Sequence, residues 1–144
     1  MCFFMKMRLA TMEDRAIFDD MYTNFFVDDK SSHKIAALSE ERYQQLVDGE
    51  AIYLAIIDGK VMGFATLFAY ENEGCEIESL YIKEKSRGYG TQFYNLLEKE
   101  IRDSNIKRVF VRIFDVVDCR AENFFWRRGF CSVKGSGELE KLLK

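Results

Sequence analysis

The sequence predicts an α/β (α+β) fold: a mixed, mostly antiparallel central sheet of roughly six or seven strands, flanked by about four helices. Three observations carry that expectation. Short β-rich runs are interleaved with stretches of helical period. Two of those runs flank Asp58-Gly59, a strong signal for a two-residue hairpin turn. After Gly90 the apolar spacing switches from alternation to that of a helix.

Met5 to Leu9 is short and apolar enough for a first strand. Thr11 can cap a helix, with Glu13 and Asp14 in the first turn, where the helix dipole favours acids. Ile17, Met21 and Phe25 recur at every fourth position and mark its buried face. Residues 28–33 read as a polar turn. Ser39 can cap a second helix carrying Tyr43, Leu46 and Val47 and closed by Asp48-Gly49.

The hairpin follows, with Ala51 to Ile57 and Val61 to Tyr70 as its arms. A further strand, Cys75 to Ile82, starts after the turn at Asn72–Gly74. Strict alternation would put Glu76, Glu78, Leu80 and Ile82 on one face, and Ile77, Ser79 and Tyr81 on the other. Phe93, Leu96, Leu97 and Ile101 then fall at helical spacing. Lys107 to Phe114 is apolar on both faces, which suits a central strand. Asp118 to Arg128 reads as a helix with Ala121, Phe124 and Phe125 on one stripe, ended by Gly129. Phe130 to Val133 is a short strand, and residues 138–144 fit either a last strand or a frayed helix.

There is no internal repeat, low-complexity stretch or linker-like break, so residues 1–144 are expected to form one domain. Hydrophobic residues make up 48% and charged residues 31% of the chain. That balance suits a packed core and excludes a disordered chain. The net charge of −3 argues against nucleic acid as the main partner, since phosphate binding favours a basic surface. No run of 18 apolar residues exists, so no membrane helix is expected. The opening Met-Cys-Phe-Phe is too short for an export signal, which makes the cytoplasm the expected compartment. Cys2, Cys75, Cys119 and Cys131 form no C-x-x-C pair and do not cluster with the lone His33. Free thiols are expected, with no zinc site and no disulfide.

The chemistry is written around residues 82–90, Ile-Lys-Glu-Lys-Ser-Arg-Gly-Tyr-Gly, where a strand ends, a loop turns and a helix begins. The first amides of a helix have no internal acceptors, and they lie at the positive end of its dipole. They therefore form an anion site. Gly88 and Gly90 remove side chains where a diphosphate needs close backbone approach, and Lys85 and Arg87 add charge. A P-loop is absent, and the dinucleotide fingerprint fails because Phe93 stands where its third glycine belongs.

Lys85-x-x-Gly88-x-Gly90 resembles the (Arg/Gln)-x-x-Gly-x-(Gly/Ala) signature of the GNAT N-acetyltransferases, with Lys in the first place. Residues 121–130, Ala-Glu-Asn-Phe-Phe-Trp-Arg-Arg-Gly-Phe, resemble the family's second signature, and residues 8–14 its usual first strand and helix start. The resemblance implies the GNAT acyltransferase fold, with acetyl-CoA as acyl donor and no metal. It implies that amides of Arg87, Gly88, Tyr89, Gly90 and Thr91 hold the pyrophosphate, beside Lys85. It implies that Leu80, Tyr81 and Ile82 pair with the pantetheine arm like an added strand, flanked by Asn123 and Phe124. The family's frequent subunit pairing allows a homodimer.

Acetyl transfer needs a neutral amine. A lysine-like amine of pKa about 10.4 is neutral in about one molecule in 2,500 at pH 7, a cost of roughly 4.6 kcal/mol that a general base offsets. Glu76 and Glu78, on the strand before the loop, are the candidates; the alternative is a solvated strand face. Two features depart from the family. Phe125 stands where many members place a tyrosine that protonates the leaving thiolate, and Tyr81 or Tyr94 could substitute. The connection from Ile82 to Gly88 is also about two residues shorter than the family's usual one, so the register of residues 83–85 is open.

The acceptor cleft of such a fold is lined by the first helices and their loop. Phe25, Phe26, Asp28, Asp29 and His33 lie there. Aromatics with acids would suit a cationic amine, but packing of the two phenylalanines and an ordinary loop histidine are the simpler readings. The leading expectation is an enzyme acetylating a primary amine of a small molecule or peptide, by direct attack in a ternary complex. A CoA-binding module that regulates a partner protein without catalysis is the alternative. An acyltransferase acting on aminoacyl-tRNA fits poorly with the pI near 5.3.

Overall fold

The computed structural model describes residues 4–28, 36–85, 87–112 and 119–143. Seven strands form one sheet: β1 (Met5–Leu9), β2 (Ile52–Ile57), β3 (Lys60–Tyr70), β4 (Gly74–Ile82), β5 (Arg108–Arg112), β6 (Cys131–Val133) and β7 (Glu138–Leu142), in the spatial order β1-β2-β3-β4-β5-β7-β6. Every neighbouring pair is antiparallel except β4 and β5. The helices are α1 (Arg15–Asp28), α2 (Glu40–Asp48), α3 (Tyr89–Asp103) and α4 (Cys119–Arg127). The tail is a strand, and it inserts between β5 and β6 instead of extending the edge.

The sheet separates two apolar layers. Phe18 and Met21 of α1 with Tyr43 and Leu46 of α2 pack on Ile52, Leu54, Phe64 and Tyr81. On the other face Phe93, Tyr94, Leu97 and Ile101 of α3 with Phe125 and Phe130 pack on Ala55, Ala65, Ile77, Ile82 and Val109. Local chemistry accounts for the element ends. Ser39 accepts from the Arg42 amide at 3.1 Å to cap α2. Asp58 (φ 53°) and Gly59 (φ 74°) take the two left-handed positions of the hairpin turn.

The α1 stripe differs from the expected one. Phe18 and Met21 are buried, with Tyr22 and Phe25 packed beside them, while Ile17 is half-buried. Steps of four drift by about 40° each on a helix of 3.6 residues per turn, and the true face mixes steps of three and four.

The start of α1 is held by charge. The Asp14 carboxylate accepts from Arg8 at 2.7 and 2.9 Å and from the Thr11 amide at 2.8 Å, tying β1 to the 3-10 turn Met12–Asp14. The Arg8 hydrogen bond is the main reason that the Asp14 carboxyl lies at about 2 instead of 3.8. A depressed folded-state value stabilises above the unfolded one and is lost as pH falls through the folded one. Asp14→Asn is therefore expected to cost about 1–2 kcal/mol at pH 7, after discounting for the exposure of Arg8. In chemical denaturation the gap between variant and parent should close as pH falls from about 4 to about 2.

Candidate active site

The site begins where the only parallel pairing in the described sheet fails. β4 and β5 are joined at Cys75–Val109 and Glu76–Phe110, and there the ladder ends. Gly74 permits the close approach at this joint: a Cβ there would lie 2.4 Å from the Arg108 carbonyl oxygen. Beyond it no pairing among the described residues covers this side of β4, and that uncovered edge is the gap. β3 pairs Thr66 with Ser79 but Leu67 with Ile77, so Glu78 is an extra residue, a β-bulge.

The bulge corrects the expected alternation. Cys75 and Ile77 face the α3–α4 layer before the bulge, and Leu80 and Ile82 face it after. Tyr81 faces the α1–α2 layer, and Ser79 lies with it, bonded to Thr66 at 2.6 Å between hydroxyls. The four residues Glu76, Glu78, Leu80 and Ile82 thus do not share a face, because one extra residue resets a period of two.

The Lys83 amide donates to the Met62 carbonyl at 2.8 Å. Antiparallel ladders alternate, so Tyr81 and Ser79 direct their amides to β3, whereas Leu80 and Ile82 turn amides and carbonyls toward the gap. The gap is thus edged by two donor–acceptor residues of β4.

At its end stands α3. Gly88 is the N-cap in the left-handed region (φ 75°), and no side chain among the described residues caps the helix. Intrahelical bonding starts with the Gln92 amide on the Gly88 carbonyl at 3.1 Å. The amides of Tyr89, Gly90 and Thr91 precede it. A Cβ on Gly90 would lie 3.4 Å from the Phe124 ring, so glycine lets α4 close on this turn. Arg87 is exposed and pairs with Glu84 at 3.3 Å. A pair this exposed is weak and leaves the guanidinium able to swing to another anion. Lys85 is exposed in the same loop, and Asn123 is exposed on α4, one position before the half-buried Phe124.

The two carboxylates differ. Glu76 is buried, at 6% exposure; it accepts from the Tyr70 hydroxyl at 3.0 Å and has Arg112 Nε at 3.7 Å. Arg112 also faces Glu138 at 3.5 Å and lies over the rings of Tyr70 and Phe110. Glu78 reaches solvent at the bulge. Partial burial by the surrounding protein, then the charge of Glu76, raise its carboxyl above the ordinary range, with Arg42 of α2 opposing. Tyr22 of α1 feels the Glu78 charge too. Glu78 therefore faces the space under α1 and α2.

Among the tyrosines, Tyr94 is buried and donates to Glu98 at 2.8 Å, and burial raises its phenol far above the ordinary range. Its proton is committed. Tyr81 packs between Phe64 (5.8 Å) and Phe25 (6.2 Å). Phe125 is buried against Phe130 at 5.1 Å. Phe25 is thus a packing residue. Asp29 and His33, and the side chains of Phe26 and Asp28, lie outside the described residues. Sequence reasoning missed Tyr70 and Arg112 as partners of Glu76. The hairpin register makes Tyr70 a diagonal neighbour of Glu76, whereas nothing in the sequence marks Arg112.

With this geometry in place, comparison with known proteins decides the family. The model of the "Acetyltransferase (GNAT) family" matches residues 15–130. The chain belongs to the GNAT acetyltransferase family. No curated protein sequence matches it. Several solved GNAT structures share its fold. One is an N-acetylglutamate synthase from Neisseria gonorrhoeae complexed with coenzyme A and N-acetyl-glutamate, with TM-score 0.77 and 18% identity over 98% of this chain. This chain spans only 35% of that protein. Another is the paia N-acetyltransferase from Thermoplasma acidophilum in complex with coenzyme A, with TM-score 0.73 and 15% identity, covering 96% of this chain and 99% of that one. A ribosomal-protein-alanine N-acetyltransferase from Brucella melitensis gives TM-score 0.76 and 17% identity over 96% and 99%. Among the described residues of this GNAT chain, no three His, Cys, Asp or Glu side chains group as a metal site, and no helix is long and apolar enough to cross a membrane.

Proposed function

We propose that the chain transfers acetyl from acetyl-CoA to a primary amine of a small molecule or peptide, by direct attack in a ternary complex. The observation that carries this reading is the gap: a sheet edge whose alternating donors and acceptors have no strand partner among the described residues leads straight to a glycine-flanked helix start that no described side chain caps. That combination fits an amide-bearing arm ending in a diphosphate, and two structural neighbours are complexes with coenzyme A. The thioester supplies an activated acetyl group when bound. Leu80 and Ile82 hold the arm through backbone bonds, with Tyr81 between them. Gly88 to Thr91 present amides to the diphosphate, and Arg87 and Lys85 add charge from the loop; Asn123 and Phe124 flank the arm from α4.

Glu78 takes the proton from the attacking amine, directly or through water. Its raised carboxyl brings the base nearer working pH, which improves proton transfer. Glu76, held by Tyr70 and Arg112, stands beside it and orients the strand. Tyr81 is the proposed donor to the departing thiolate. A thiol of pKa about 8.5 leaves acceptably even without help.

Phe125 favours a second reading, a CoA-binding module that regulates a partner protein, because a phenylalanine in the core has no proton to give. Acetyl-CoA mixed with the purified protein and a panel of amines separates the two. Thiol release on at least one amine is the expected outcome. Tight CoA binding with no turnover on any amine supports the module.

A further inference from the structure

Arg128, the residue after α4, is placed oddly for a surface arginine. Its Nη1 donates to the Thr91 hydroxyl at 2.8 Å, across 37 positions of sequence. Its guanidinium lies 4.9 Å from the Phe124 ring centre. Its Nε is buried with no acceptor among the described residues. The neighbouring cations are balanced: Lys141 pairs with Glu98 at 2.6 Å, and so does Arg102 at 3.4 Å. No carboxylate among the described residues lies within salt-bridge distance of Arg128.

An arginine that is half withdrawn from water without a counter-charge is costly. Here it also stands beside the positive end of a 15-residue helix, so the two like fields oppose each other. An anion at that helix start resolves both costs at once. The bond to Thr91 has a further consequence. With a lone pair of its oxygen taken by Arg128, the hydroxyl turns its own proton outward as a donor, in the same turn as the amides of Gly90 and Thr91.

We propose that Arg128 is a positioning residue for the diphosphate of CoA: it holds Thr91 as a hydroxyl donor and supplies fixed positive charge behind the first turn of α3. The inference rests on reading that turn as the diphosphate site. Phosphate, not pantetheine, is the part of the ligand that it serves.

The test is calorimetric binding of CoA, inorganic pyrophosphate and pantetheine to wild type, Arg128→Met, Arg128→Lys and Thr91→Val, across a salt series. Methionine keeps the stem and its packing but removes the charge. The expected result is about tenfold weaker CoA and pyrophosphate binding in Arg128→Met, the size of one charged hydrogen bond. A shallower salt dependence, recovery in Arg128→Lys and less than about twofold change for pantetheine should accompany it. If Arg128→Met does not fold, Thr91→Val carries the test, with a loss of about threefold or more expected for CoA. Unchanged CoA affinity in either variant overturns the proposal, as does an equal loss for CoA and pantetheine, which would mean simple packing of α4 on α3. Wild type that binds no CoA sinks the diphosphate reading itself, and Arg128 with it; wild type that binds, beside an unaffected Arg128→Met, sinks Arg128 alone.

Discussion

Glu78→Gln is expected to lower kcat/KM by about 100-fold or more at pH 7, within the usual range for a lost general base. Glutamine keeps the shape of the bulge and loses only the proton acceptor. The acidic limb of the pH–rate profile should disappear, leaving a rate that follows the free amine alone. Glu76→Gln should act differently. Glu76 raises the Glu78 carboxyl by its charge. Its removal lowers that carboxyl, so the acidic limb moves to lower pH with a smaller loss of rate. Stability gives an independent readout. A carboxyl raised in the folded state stabilises at low pH and loses that contribution as pH rises through its folded value. Glu78→Gln should therefore leave Tm at pH 7 unchanged or higher. A rate within twofold of wild type and an unchanged profile would remove Glu78 as the base.

Gly74→Ala is expected to cost about 3–4 kcal/mol, near the upper end for a single substitution. The added Cβ would meet the Arg108 carbonyl oxygen at 2.4 Å and the Arg108 Cβ at 3.0 Å. Both contacts lie at the joint of β4 and β5, and the backbone there has φ 110°, where alanine is strained. The neighbours cannot yield cheaply, because β5 is fixed on its other side by five pairs to β7. A fall in Tm of about 10–15 °C should accompany the loss. CoA affinity should fall as well, since the joint sets the angle of the gap. A loss below about 1 kcal/mol would mean that the strands part freely and that the joint does not shape the gap.

Much of this was legible in the residues. The hairpin followed from Asp58-Gly59, α2 from Ser39, and the turn into α3 from Gly88 and Gly90, because each depends on local backbone rules. The order of strands around β7 was not legible: nothing in residues 138–144 says which edge they join, and that choice is made by pairing with β5 over a long separation. The Glu78 bulge escaped for a related reason. Alternation reads a strand as if its partner kept step, and only the Thr66–Ser79 and Leu67–Ile77 pairings reveal the extra residue. Family likeness pointed at Leu80, Tyr81 and Ile82 together; the ladder's alternation turns the backbone of Leu80 and Ile82 away from β3 and that of Tyr81 toward it. Residues 29–35, where the acceptor cleft would be read, lie outside the described structure.

The proposed activity stands or falls on the β4 edge and the first turn of α3 gripping CoA together. Amide chemical shifts and exchange rates, followed by NMR while CoA is titrated, report on both parts of that grip in one experiment. The amides of Leu80, Ile82, Gly90 and Thr91 are expected to shift together and to exchange more slowly when the ligand is bound. Those amides staying unmoved at millimolar CoA, or a response confined to another part of the sheet, would contradict the grip.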